Sequence, residues 1–296
     1  MVELKSSDDL KSVPEYTSFP KSFENYKWYK PLLVVIVTAI IFAIFNILIY
    51  GLTMKALPGG YASFLTFARG GYDALNAYSL LGLVTILSVG LMVPSLYIAT
   101  KIVKDRPFSS YSSSRGGWNW KIFAKIFLLT LVIYVIIGLV TESFRGIHID
   151  NHFTILTFII ALIVIPLQCI AEEYFMRGLL MQTVGSWIAR PVLAIIVQSL
   201  VFTSLHPYNI LGIITVFVMG LLLGFITYYT KGIEASSGIH VANNLTSFMF
   251  TGFGISSIST NVSVMSFAVD MVSVLIAVGI VYYVINKYGW FKSENL

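Results

Sequence analysis

Long apolar runs separated by short polar stretches set the pattern of this 296-residue chain. A bilayer takes about 20 helical residues to cross, and by that measure the runs predict about eight membrane helices. They fall near 31–50, 80–100, 122–140, 153–171, 191–205, 210–229, 239–253 and 264–285. The fourth has no breaker before Gly185, so its helix is expected to continue past Ala171 toward Thr183. The fifth and seventh are short. No repeat of fixed period runs through the chain. The expected fold is all-α and polytopic, with four regions: a polar tail at 1–30, three membrane helices over 31–152 with a basic loop at 101–125, a core at 153–253, and a last helix with its tail at 254–296.

Composition agrees with this pattern. Hydrophobic residues make up 57% of the chain and charged residues 11%, against about a quarter charged in a soluble domain. The polar first 30 residues argue against a cleavable signal peptide. A single cysteine, Cys169, excludes a disulfide framework and a cysteine-rich metal site. The net charge of +5 does not point to nucleic acid, because the basic residues lie between apolar runs with no interleaved aromatic patch. They follow the positive-inside bias instead.

Lys101, Lys104, Arg106, Arg115, Lys121 and Lys125 mark the segment after the second helix as cytoplasmic. An even number of crossings then places both termini there, with Lys5, Lys11, Lys21, Lys27, Lys30, Lys287 and Lys292. The outer loops are poorer, holding Lys55, Arg69 and Arg145. The expected location is thus the cell membrane, multi-pass. Serines and glycines at 108–117 read as a flexible loop, and residues 1–30 as a solvated tail without chemistry.

Ionisable groups in apolar runs are costly, and they usually face a cavity or a partner. Glu172, Glu173 and Asp270 are such groups, and His206 and His240 stand at the ends of apolar runs. His148 and His152 fall in a polar outer loop and read as solvated. Glu173 and Arg177 are four apart on one helical face, a spacing suited to an ion pair. Glu172 is rotated by about 100° and points elsewhere. Alone, this cluster also fits a helix end with three interfacial charges. Phe202 and His206 form a second i,i+4 pair, and Pro207 ends the helix after it. His240 and Asn244 form a third, with Asn243 also within reach of that face.

In this order the three elements resemble the CAAX-protease and bacteriocin-processing (CPBP, or Abi) family, whose pattern is Glu-Glu-x-x-x-Arg, Phe-x-x-x-His and His-x-x-x-Asn on successive membrane helices. Glu172, Glu173, Arg177, Phe202, His206, His240 and Asn244 match every position. The resemblance implies an all-helical intramembrane endopeptidase without a cofactor. It also implies roles: Glu172 and His206 activate water, His240 and Asn244 stabilise the oxyanion, and Glu173 and Arg177, with Phe202, hold the site's shape. The implied partners are the lipid bilayer and a peptide or protein substrate, membrane-associated or prenylated.

The chemistry is sound for these residue types. A carboxylate in a poorly solvated cavity is a stronger base, a histidine beside it can share the proton, and donors aimed at the oxyanion stabilise the transition state. Sequence leaves the proton acceptor open between Glu172 and His206. No His-Glu-x-x-His or Gly-x-Ser-x-Gly pattern occurs, and Asp270 alone cannot build an aspartate dyad; structural pairing or gating is expected of it. Glu172, His206 and His240 are also suitable zinc ligands, although the resemblance favours a metal-free site. A non-catalytic immunity scaffold or transporter is the alternative, but no inverted repeat supports a transporter.

Hydropathy alone sets a conflict. It puts Glu172 and His240 toward the cytoplasmic side and His206 near the outer end of its helix. A common site requires the fourth helix to extend, the fifth to shift, or residues 233–239 to re-enter the membrane.

Overall fold

The computed structural model describes residues 14–56 and 79–290. Lys5, Lys11, Arg69 and Lys292 lie outside the described residues. Among those described, the chain is helical without a strand. Its elements are α1 (Lys30–Ala56), α2 (Leu80–Gly90), α3 (Met92–Val103), α4 (Trp120–Ser143), α5 (Ile155–Glu173), a π-helical segment (Tyr174–Met181), α6 (Gln182–Ile188), α7 (Pro191–Ser204), α8 (Ile210–Thr230), α9 (Glu234–Gly252) and α10 (Val264–Tyr288).

Six helical stretches are long and apolar enough to cross a membrane: 30–56, 80–103, 120–143, 155–188, 210–230 and 264–288. The chain is a multi-pass membrane protein. Rows of exposed apolar side chains, among them Ile36, Ile40, Ile47, Leu128, Val132 and Ile136, present a surface suited to lipid. The other two expected crossings do not meet the same measure. α7 has only 14 residues, and α9 carries the polar residues of the third motif.

Local sequence explains the breaks. Pro94 lacks the N–H that would bond Gly90 O, and its ring crowds that carbonyl, so the second stretch divides into α2 and α3. α5 starts on a capping box of Thr154 and Thr157. It runs on through the π-helical segment and α6 to Ala189, whose positive φ of 53° closes the rod. Pro191 then opens α7 at a position where no N–H is needed.

α9 packs along α4 in the same direction. Gly238 makes the approach possible: a Cβ there would stand 2.9 Å from Phe127 N and 3.1 Å from Ile126. Behind that seam, Ile126, Tyr134, Leu223, Ile239, Ala242, Val274 and Ala277 join α4, α8, α9 and α10 in one core. A second core links α1, α3 and α7 to the π-helical segment, and a third links α2, α5 and α9.

Three expectations change. The 108–117 stretch is packed, not flexible: Ser110, Tyr111, Ser112, Ser113 and Ser114 are buried. Small side chains that bond locally let this loop go inside. Ser112 Oγ donates to Ser109 O at 2.8 Å, and Ser113 Oγ to Lys231 O at 3.1 Å. Within the expected solvated tail, residues 16–20 pack, while most of 21–29 are exposed as expected. Tyr16 and Thr17 are fully buried, and Tyr16 Oη donates to Tyr111 O at 3.0 Å. Asp270, expected to be structurally paired or to gate, is exposed on α10 and forms no ion pair among the described residues, which removes the pairing.

Candidate active site

The site forms where the end of α5 meets α9. Glu173 and Arg177 make the expected pair, with Arg177 Nη1 donating to Glu173 Oε1 at 2.8 Å and both side chains fully buried. Arg177 Nη2 donates to Gly220 O at 3.3 Å, and its guanidinium lies 4.9 Å from the centre of the Phe202 ring. An arginine in such a place must have its charge and its donors met together.

Glu173 has a second partner. His240 Nδ1 lies 2.9 Å from the same Oε1. A carboxylate paired with arginine can only accept, so Nδ1 carries the proton and donates it. This directs the opposite edge of the ring into the site. There His240 Nε2 is 3.5 Å from Glu172 Oε2 and 3.4 Å from Asn244 Nδ2. Of two successive glutamates, about 100° apart on their helix, Glu173 therefore holds one edge of the imidazole and Glu172 faces the other. Glu172 does not point away from Glu173's partners; the ring of His240 sits between the two.

Around this pair, Asn244 Nδ2 lies 3.5 Å from Gln168 Oε1, and Asn243 Nδ2 donates to Asn244 Oδ1 at 3.1 Å. Asn244 is thus the asparagine against His240, with Asn243 behind it. Gln168 had no place in the sequence reading. It stands one helical turn before Glu172, and that i−4 spacing was the available signal.

His206 follows the end of α7, ahead of Pro207 as the sequence requires. Its Nδ1 lies 2.8 Å from Phe202 O. A carbonyl can only accept, so Nδ1 donates and Nε2 of the neutral ring keeps its lone pair. The ring centre lies 4.6 Å from that of Phe202, which is itself 6.1 Å from that of His240. Phe202 therefore joins the two imidazoles and also meets Arg177. His206 is linked to the His240 and Arg177 side of the site through this ring.

The depth conflict is resolved by extension of the fourth rod. It spans 34 residues, Ile155–Ile188, and puts Glu172 near its middle. α-helical hydrogen bonding gives way to π-helical directly after Glu173, a local distortion frequent at functional sites. Gly178 within it passes so close to the 108–117 loop that a Cβ would stand 2.6 Å from Tyr111 O.

Glu172 Oε2 is buried and makes no hydrogen bond, which leaves it an acceptor in need of a donor. Among the described residues no three His, Cys, Asp or Glu side chains are disposed to hold one metal ion. His148 and His152 are exposed in the loop before α5, as expected of solvated histidines; His152 Nε2 lies 3.9 Å from Asp150.

Comparison with known proteins places part of this chain among known relatives. The chain is similar to the uncharacterized protein YyaK of Bacillus subtilis (strain 168), 30% identical over 173 residues, 53% of this chain and 57% of that protein. The match therefore spans a little over half the length of that relative. No solved structure matches the chain. Residues 152–246 match the family described as type II CAAX prenyl endopeptidase Rce1-like, so the segment carrying all three motifs is of the family that they resemble.

Proposed function

We propose that this protein is an intramembrane endopeptidase of the glutamic type, cutting a membrane-associated peptide or protein. The observation that carries the reading is the buried, unbonded Glu172 Oε2 3.5 Å from His240 Nε2, whose other edge is fixed by Glu173. A water bound there gives its proton to Glu172 or to the lone pair of His206 Nε2. The resulting hydroxide attacks the scissile carbonyl carbon. Negative charge grows on the carbonyl oxygen, where the Asn244 amide and a protonated His240 Nε2 can donate to it. Collapse of the tetrahedral intermediate breaks the C–N bond, and the departing amine takes the proton held by Glu172 or His206.

Glu173, Arg177 and Phe202 act by holding His240 and shaping the cavity. The substrate class, prenylated or not, and a cell-membrane location with both ends of the chain in the cytoplasm belong to the same proposal. Membrane peptides accumulating in cells that carry Glu172→Ala are compared with those in cells carrying the intact protein. The expected result is a small set of intact precursors that accumulate only with the variant. Identical peptide sets from the two, with the intact protein expressed, would overturn the reading.

A further inference from the structure

Away from this site, two contiguous open clefts of about 300 and 330 Å³ lie between the segment before α1 and the end of α3 with the residues that follow it. They share Asn25, Arg106 and Pro107. The first is lined by Lys101, Lys104 and Arg106 with Thr100, and it holds no acidic group. Lys30 adds a further ammonium beside it, donating to Lys104 O at 3.5 Å. The second cleft has a different character, with Ser22, Glu24 and Asp105 along its wall.

The charges are not equally available. Arg106 is 6% exposed. It is held by Gln182 at 2.5 Å, by Asp105 at 3.5 Å and by the Tyr111 ring, so it forms a fixed floor. Lys101 and Lys104 are exposed, and Lys101 lies against the Tyr97 ring at 5.1 Å. Their ammonium groups are free to close on a ligand. Asp105 accepts from Tyr111 Oη on one oxygen, while the other, Oδ1, is buried without a hydrogen-bond partner. A cleft lined by exposed ammonium groups over a fixed guanidinium suits an anion.

Position points to the source of that anion. Trp28, Tyr29, Tyr97 and Trp187 are all exposed around this end of the bundle. Exposed tryptophan and tyrosine belong at the depth of lipid headgroups, and basic pockets between membrane helices at that depth take anionic headgroups. We infer that the first of these clefts binds the headgroup of an anionic phospholipid, its phosphodiester between Lys101 and Lys104. A phosphatidylglycerol is the simplest lipid of that description. Arg106, beneath the phosphate, also donates to Gly178 O at 3.4 Å, which ties the cleft floor to the π-helical segment of the rod that carries Glu172.

The full chain in detergent is titrated with short-chain phosphatidylglycerol and, separately, with phosphatidylcholine, glycerol phosphate and inorganic phosphate. Binding is read as the rise in unfolding temperature. The phosphatidylglycerol rise is expected to exceed that of the other three. Lys101→Gln/Lys104→Gln is expected to weaken the lipid's affinity by about 30-fold, from two lysines near a charged surface. Lys121→Gln/Lys125→Gln, which removes the same charge elsewhere on the basic segment, is expected to leave it unchanged. Equal loss with both double variants would overturn the site in favour of a general surface field. An equal response to phosphatidylcholine, or to glycerol phosphate or inorganic phosphate, would overturn the lipid assignment.

Discussion

His240 Nδ1 lies 2.9 Å from Glu173 Oε1, the same oxygen that receives Arg177. That contact gives Glu173 two duties, neutralising an arginine and fixing the orientation of an imidazole. It separates Glu173 from Glu172, although the two are neighbours in the chain.

Substitutions at the site should therefore divide. Glu172→Gln and His206→Ala are expected to abolish turnover while leaving abundance near that of the intact protein. Glu173→Ala and Arg177→Ala each leave a buried charge unpaired, at a cost of about 3–5 kcal/mol, so abundance should fall with activity. Asn244→Ala is expected to lower kcat by about 10²–10³ at normal abundance. Quantitative immunoblotting beside a peptidase assay checks the division, and equal, purely catalytic losses throughout would contradict it.

Zinc chemistry would use Glu172, His206 and His240 as well, so alanine variants cannot separate it from the carboxylate scheme. Metal content and chelation can. The purified protein is expected to keep its activity after exhaustive chelation and to carry far less than one zinc per chain. His240→Gln is expected to retain measurable activity, because an amide donates to an oxyanion but ligates zinc poorly. Activity lost on chelation and restored by stoichiometric zinc would show a metal enzyme.

Gly178→Ala tests the contact between the π-helical segment and the 108–117 loop. Its methyl group would stand 2.6 Å from a backbone oxygen, that of Tyr111, which cannot move aside as a side-chain tip can. A loss of about 1–3 kcal/mol is expected from overpacking. Thermal unfolding in detergent measures it, with Gly51→Ala as a control, since nothing lies within 4 Å of a Cβ at Gly51.

Glu15 gives a pH dependence outside the membrane helices. Burial raises its pKa, but hydrogen bonds from Ser18 and Thr17 outweigh burial and hold the carboxyl below its usual 4.5. A depressed folded-state pKa contributes stability above the unfolded value, lost as pH falls through the folded one. Packing of residues 14–22 should therefore loosen below about pH 4.5. Proteolysis of this segment followed against pH checks this, and Glu15→Gln should flatten the profile.

Much of the site was legible because its contacts are local. The i,i+4 spacing of Glu173 and Arg177 was enough to predict their ion pair, and Pro207 to predict where the helix before His206 ends. The double hold on His240 was not legible, since it depends on how α9 lies across α5, a tertiary fact. Gln168 shares a helical face with Glu172, but a lone glutamine in an apolar run has no distinctive chemistry. Serines at 108–117 were misleading because the small, self-bonding side chains that suit a mobile loop also suit a buried one. The depth conflict arose because hydropathy averages over a window, whereas the polar residues of the 155–188 rod are covered by protein rather than lipid.

The shortness of α7 bears on how the proposed hydrolysis inside lipid would obtain its second reactant. Fourteen residues extend about 21 Å, against about 30 Å for the hydrocarbon core. A helix this short either draws the nearby leaflet inward or ends beneath it. In either case the polar Ser204–His206 turn comes within reach of the aqueous phase. For a helix of this length, hydrophobic mismatch, usually counted as a cost of residence in a bilayer, would open a route for bulk water to His206.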